Sequence, residues 1–219
     1  MPLNLVSLLQ REFGGIIFYH RNLNAAERLK KENDFLRHKL NGSNEISLEN
    51  VRLKEMLSFK QKSILKFIPA KVIARSADNW STGLIIDKGA LQGIRKGMAA
   101  VTYLGLAGRV VETTGLTGKI MLLSDPNLGV SSLVQRSRQE GLVCGTLGAN
   151  LLMKYLPEGA DIKLNDIIVT SGLNNTYPKG LLIGTVIDVG KEFSGLSRFA
   201  IIKPAVKLSN IEEILVVVQ

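Results

Sequence analysis

The chain has 219 residues, 45% of them apolar and 21% charged, which is long enough to bury a core and too apolar for extended disorder. Its 28 lysines and arginines against 19 acidic residues give +9 at pH 7, a balance that admits an anionic partner such as nucleic acid or an acidic membrane surface. A single cysteine, Cys144, excludes an intrachain disulfide, and the two histidines, His20 and His38, leave no imidazole for chemistry beyond residue 38.

The most apolar window, residues 3–19, is interrupted by Gln10, Arg11 and Glu12 and by Gly14-Gly15. It falls short of the uninterrupted run that a membrane-spanning helix needs. It also lacks the basic start and small-residue cleavage site of a secretory signal. Leu5, Leu8, Leu9, Phe13 and Ile16 recur at spacings of three or four, which places one apolar stripe on an amphipathic helix. Residues 1–21 are therefore expected to be a juxtamembrane segment. The stripe fits a membrane surface, a partner helix or the remnant of a longer N-terminus, and the membrane surface is the less favoured.

Residues 22–66 read as helix, with good helix formers throughout and Gly42 the one glycine between 22 and 60. Ala26, Leu29, Asn33, Leu36 and Leu40 alternate steps of three and four, the seam of a coiled coil. Asn33 falls at a core position, where a buried amide weakens association but sets register and strand number. Glu32 and Arg37 flank the seam where they would pair across two parallel helices. An interruption is expected at Asn41-Gly42-Ser43, after which Ile46, Asn50, Leu53 and Leu57 resume the seam, flanked by Glu49 and Lys54. The frame slips by three residues there, which overwinds or breaks a supercoil. Dimerisation through these nine positions is preferred to a lone helix folded back on the rest of the chain.

From residue 67 the apolar period changes to two. Short runs rich in β-branched residues fall at 70–74, 83–87, 98–103, 107–112, 119–123, 130–134, 141–144, 151–155, 166–170, 184–189, 199–202 and 214–218. Glycine, asparagine, aspartate and proline punctuate them, the rhythm of an all-β sandwich or barrel. Crossover helices of the length a parallel sheet needs are missing. Twelve strands exceed one small barrel, so the expectation is a mainly β fold: an N-terminal coiled-coil helix followed by two small six-stranded β-barrels, which leave no open edges. The first barrel would take residues 67–122 with 204–219, and the second 123–203. A faint duplication supports the split. Residues 97–102 and 105–111 echo 165–170 and 180–186, each copy with a strand ending in Val-Thr, a glycine turn and a second strand near another glycine.

The search for an active site returns little. With no histidine after His38, the β region can assemble neither a Ser-His-Asp nor a Cys-His arrangement, and one cysteine cannot build a structural zinc site. Ser63-Ile64-Leu65-Lys66 matches S-x-x-K but lacks its K-T-G partner and reads as a helix end. A serine and lysine distant in sequence, such as Ser171 and Lys179, could meet only through the fold. Gly145-Thr146-Leu147-Gly148 lacks the spacing of a nucleotide fingerprint. Asp161 and Asp166 lack the alternation of a calcium loop and read as a solvated turn. Trp80, Tyr103, Tyr155, Tyr177, Phe193 and Phe199 are scattered, so stacking faces for single-stranded nucleic acid are not evident. No cofactor is expected. A hydrolase on a double β-barrel and a basic nucleic-acid-binding β-barrel protein stay open as alternatives on these residues alone.

The order of segments carries more. The helical Leu29, Glu32-Asn33 and Leu36 precede Ala70-Lys71-Val72-Ile73-Ala74-Arg75, Asp78-Asn79-Trp80, Ile85-Ile86-Asp87-Lys88-Gly89 and Gly93-Ile94-Arg95-Lys96-Gly97-Met98. Then come Gly105-Leu106-Ala107-Gly108-Arg109-Val110-Val111-Glu112, Leu122-Leu123-Ser124-Asp125-Pro126-Asn127, Val134-Gln135-Arg136-Ser137-Arg138, Val169-Thr170-Ser171-Gly172-Leu173, Pro178-Lys179-Gly180-Leu181 and Ile202-Lys203-Pro204-Ala205. From about residue 23 to 219 this succession resembles the rod-shape-determining MreC family. The resemblance implies a non-catalytic scaffold of the bacterial cell-elongation machinery, required for rod shape. Such a scaffold would lie on the periplasmic side of the inner membrane, self-associate as a homodimer or larger assembly, and activate a class B penicillin-binding protein, the peptidoglycan transpeptidase. Further elongation partners implied are MreD, MreB, RodA and RodZ, with no nucleic acid. Members carry an N-terminal transmembrane anchor, and this chain is expected to begin just after the place of that helix.

Overall fold

A computed structural model describes residues 3–63, 65–76, 83–146, 148–173, 176–191 and 197–218, with side chains from residue 28 onward, Lys62 excepted. It divides into two units, residues 1–55 and 56–219.

The N-terminal element is one helix, α1 (Leu3–Lys62), of 60 residues; at 1.5 Å per residue it is about 90 Å long. It passes through Asn41-Gly42-Ser43 without the expected interruption. One exposed glycine costs a helix only about 1 kcal/mol, which its helix-forming neighbours outweigh. Beyond the helix end, Ser63 Oγ accepts the Leu65 N–H at 3.2 Å, and the chain turns into the first strand. Met56 is buried, and the Phe59 and Phe67 rings lie 5.6 Å apart, so the last turns of α1 are held by the body they lead into.

Among the described residues, twelve strands stand where the alternation predicts them. The first barrel contains β1 (Lys66–Arg75), β2 (Gly83–Ile86), β3 (Ala99–Thr102), β4 (Gly105–Thr113), β5 (Gly118–Leu122) and β12 (Glu213–Val218), closed in the order β1-β12-β3-β4-β5-β2. The second contains β6 (Val130–Val134), β7 (Glu140–Gly145), β8 (Leu151–Pro157), β9 (Ile167–Thr170), β10 (Leu182–Lys191) and β11 (Ser197–Pro204), closed as β10-β11-β8-β7-β6-β9. Every pairing is antiparallel.

The two barrels are circular permutations of one plan. Setting β6 against β12, and β7 to β11 against β1 to β5 in order, reproduces every pairing of one barrel in the other. The strand that closes the first barrel comes last in the chain, whereas its counterpart opens the second. The second barrel is thus inserted between β5 and β12. The faint duplication marks the best-preserved part of this plan. Gly97 N–H donates to Val110 O at 2.8 Å and Val110 N–H to Met98 O at 2.9 Å. Asn165 N–H donates to Val186 O, and Val186 N–H to Asp166 O, both at 2.9 Å. Gly97 and Asn165, at φ +95° and +66°, occupy the left-handed position of this turn, which favours those two residue types.

Burial on both faces explains why β12 reads as an unbroken apolar run. Ile214 and Val216 point into the first barrel with Leu84, Ile86 and Ile120. Leu215 and Val217 point the other way, into a cluster that takes in Phe67, Val101 and Leu106 and continues through Val130, Met153 and Ile202 of the second barrel. Period-two alternation therefore separates two cores instead of core from solvent. Each such side chain contributes about 1.5 to 3 kcal/mol when fully buried, so the inter-barrel contact is a continuation of the core.

Candidate functional site

The residues expected to form an interface lie along α1. Leu29, Leu36, Leu40, Ile46, Leu53 and Leu57 are exposed by 45 to 66%, and Asn33 and Asn50 are exposed with them. The side chain of Ala26, like those of Leu5, Leu8, Leu9, Phe13 and Ile16, lies outside the described residues. Uninterrupted helix at 100° per residue sets the 29–40 group and the 46–57 group about 100° apart around the axis. The slip of frame thus becomes a rotation of the apolar stripe in place of a break. Soluble chains seldom leave a stripe of this length uncovered.

The serine and lysine candidates do not assemble. Ser63 Oγ is occupied by the Leu65 N–H. Ser171 is buried and its Oγ accepts the Leu173 N–H at 3.2 Å, while Lys179 is exposed on the same turn and makes no hydrogen bond to it among the described residues. Thr170 holds that turn, with its Oγ1 accepting the Leu181 N–H at 2.9 Å and donating to Pro178 O. Among the described residues no three histidine, cysteine, aspartate or glutamate side chains gather as a metal cluster. The Asp78-Asn79-Trp80 segment and Phe193 lie outside the described residues.

Asp161 and Asp166 form no simple solvated turn. Arg136, at the end of β6, donates Nε to Asp166 Oδ1 at 2.8 Å and Nη2 to Asp166 Oδ2 at 2.9 Å. It also donates Nη1 and Nη2 to the two Asp161 oxygens at 2.6 and 2.9 Å. Asp166 is 8% exposed and also accepts the Lys163 N–H at 2.9 Å. Hydrogen bonds from the guanidinium hold both carboxyl groups below the usual aspartate range and raise the guanidinium above its own. One planar fork meeting two carboxylates ties β6 to the loop between β8 and β9. Arg136 stands in one of the quoted segments, but its partners 25 and 30 residues away carry no sequence signal.

Tyr177 is 4% exposed within the core that joins the barrels, and its hydroxyl has no partner among the described residues. Burial pushes its phenol up to about 12, against a smaller opposing effect of the Arg109 charge. Cys144 is half-buried and unpaired, and burial raises its thiol.

A long helix bearing an exposed apolar stripe, leading into two permuted antiparallel barrels, defines a class of mainly β proteins. Residues 72–218 match the family model described as rod shape-determining protein MreC, barrel core. The cell shape-determining protein MreC of Bacillus subtilis is 34% identical over 226 residues, covering 94% of this chain and 77% of its own length. The chain belongs to the MreC family. A solved MreC structure superposes with a TM-score of 0.74 at 28% identity, over 79% of this chain and 99% of that one. Two more distant structures show the fold alone. One is the major periplasmic domain of the cell shape-determining filament MreC (24% identity, TM-score 0.63, 71% and 98% covered). The other belongs to a complex between penicillin-binding protein PBP2 and MreC from Helicobacter pylori (16% identity, TM-score 0.59, 71% and 99% covered). Among the described residues no helix is long and apolar enough to cross a membrane.

Proposed function

We propose that this chain is a non-catalytic scaffold of the cell-elongation machinery, placed in the periplasm, that pairs with a second copy through α1 and binds a class B penicillin-binding protein through its barrels. The observation that carries the reading is the apolar seam: six large side chains from Leu29 to Leu57, each at least 45% exposed, at the three-and-four spacing that a partner helix covers. Family membership supplies the setting, and the Helicobacter pylori complex supports the choice of enzyme. A protein without a nucleophile still controls a reaction by binding one conformer of an enzyme more tightly than another. The same logic accommodates MreD, MreB, RodA and RodZ as further partners of the assembly.

Sedimentation of the full chain tests the pairing. A dimer is expected for the wild type and a monomer for Leu36→Asp, which sets a charge in the seam. A wild type that stays monomeric up to its solubility limit overturns the coiled-coil reading. Adding the chain to the purified transpeptidase of the same organism and following peptide cross-linking tests the second half. The rate should rise with occupancy, and binding without any change in rate would leave a tether in place of an activator.

A further inference from the structure

Two segments join the barrels, residues 123–129 from β5 to β6 and residues 205–212 from β11 to β12. Between them lies a cleft of about 480 Å³, in the size range of ligand sites. Ala149, Pro204 and Leu208 contribute its apolar surface over a floor of buried Leu122 and Val206, and Arg75, Lys203 and Lys207 bring three cationic groups to it. No lining residue is acidic. Arg75 is anchored, donating Nη2 to Ile211 O at 2.9 Å and Nη1 to Leu208 O at 3.3 Å. Carbonyls position that guanidinium without cancelling its charge. Glu212 borders Arg75 in a separate groove. Asp125, beside the cleft residue Ser124, is fully buried and accepts the Asn127 N–H at 2.9 Å. The exposed ammonium groups of Lys203 and Lys207 have no carboxylate partner among the described residues.

We propose that this cleft is a docking site for an acidic, aliphatic peptide segment of a protein partner, whose carboxylates meet Lys203, Lys207 and Arg75 while its apolar side chains cover Ala149, Pro204 and Leu208. Charge complementarity decides the sign of the ligand, since like charges gather on an apolar surface with no counter-ion of their own. The side-chain amide of Asn150 and the hydroxyl of Ser209, also in the lining and without hydrogen-bond partners among the described residues, favour a peptide backbone over an acyl chain, which would leave both unsatisfied. Because both inter-barrel segments line the cleft, the occupant would span the junction of the barrels. This site goes beyond the scaffold reading and stands without it.

The test uses the full chain and a dye-labelled heptapeptide alternating leucine and glutamate, followed by fluorescence anisotropy. Its glutamine counterpart and phosphatidylglycerol vesicles are run beside it. The glutamate peptide should bind, and the glutamine peptide should bind about tenfold more weakly. Lys203→Ala combined with Lys207→Ala should cost a similar factor while leaving the melting temperature unchanged, since both side chains are exposed; Lys88→Ala should cost nothing. Absence of binding up to about 1 mM peptide, equal affinity for the two peptides, or full affinity in the double variant overturns the proposal. So does vesicle binding that depends on these lysines and excludes the peptide, which would assign the cleft to lipid.

Discussion

Gly108 of β4 and Gly184 of β10 occupy the same place in the two permuted barrels, and each is pressed against a carbonyl of the neighbouring strand. A methyl group at Gly108 would run into Met121 O, and one at Gly184 into Lys203 O. Gly108 pairs with Leu122 and Gly184 with Pro204, so the offending carbonyl comes from the preceding residue in both. Backbone oxygens bound into a ladder cannot turn aside as a side-chain tip would. Gly108→Ala and Gly184→Ala should therefore each destabilise the body by about 1 to 3 kcal/mol in urea titrations. Gly159→Ala, where an added methyl meets nothing within 4 Å, should stay within about 0.5 kcal/mol. A difference of sign between the two barrel glycines would show that the permuted plan does not extend to their environment.

Asp166 links stability to acid. Its carboxyl is held below the ordinary 3.8 by Arg136, so its stabilising contribution is complete above that value and fades as pH falls through the lower folded-state value. Asp166→Asn should cost about 1 kcal/mol at pH 7, a modest sum because Arg136 is partly open to solvent. Denaturant titrations of wild type and variant should converge as pH drops from 5 toward 2, and a gap that widens with acidity would contradict the sign.

Tyr177 offers the reverse case. Its hydroxyl is buried in the inter-barrel core without a partner among the described residues, so Tyr177→Phe removes a desolvated dipole and no hydrogen bond among them. Thermal melts should show no loss and a gain of up to about 1 kcal/mol. A loss of that size would reveal a bound water serving the hydroxyl.

Gly42 lies inside α1 with open space where a side chain would go. Gly42→Ala should stabilise the helix by about 0.5 to 1 kcal/mol, read as a higher midpoint in the far-UV melt. A lower midpoint would mean that the glycine itself makes close contact with a partner helix.

Asn33 sits in the seam of the proposed pair. Asn33→Leu should tighten association and relax its register, with species larger than dimers in sedimentation. An unchanged monomer–dimer equilibrium would place Asn33 outside any helix contact.

Much of this protein could be read before any coordinates. The runs at 130–134, 166–170 and 199–202 are short, rich in β-branched residues and bounded by turn residues, so local pattern alone locates the strands. Val110 and Val186 follow Gly108 and Gly184 at equal spacing, and that echo reports a shared β-strand pair. The expected interruption at Gly42 failed because a single glycine is a small cost set against sixty residues of helix. Asp161 and Asp166 looked like a solvated turn because their partner, Arg136, is supplied by the distant turn after β6. The Lys203 and Lys207 cleft was likewise invisible, since its surface comes from segments far apart along the chain.

What the amino-acid order determined by itself was the kind of elements and the number of strands: helical sequence with a heptad stripe, then twelve short strands. These follow from interactions between residues a few positions apart. Which strands close on which, that one barrel is the other permuted, and that Leu215 and Ile214 serve different cores were decided only in the tertiary structure. Strand pairing joins residues separated by up to about 150 positions, such as Lys66 and Val218. The free energy that selects such a pair comes from burying both faces at once, a quantity that no local window of sequence contains.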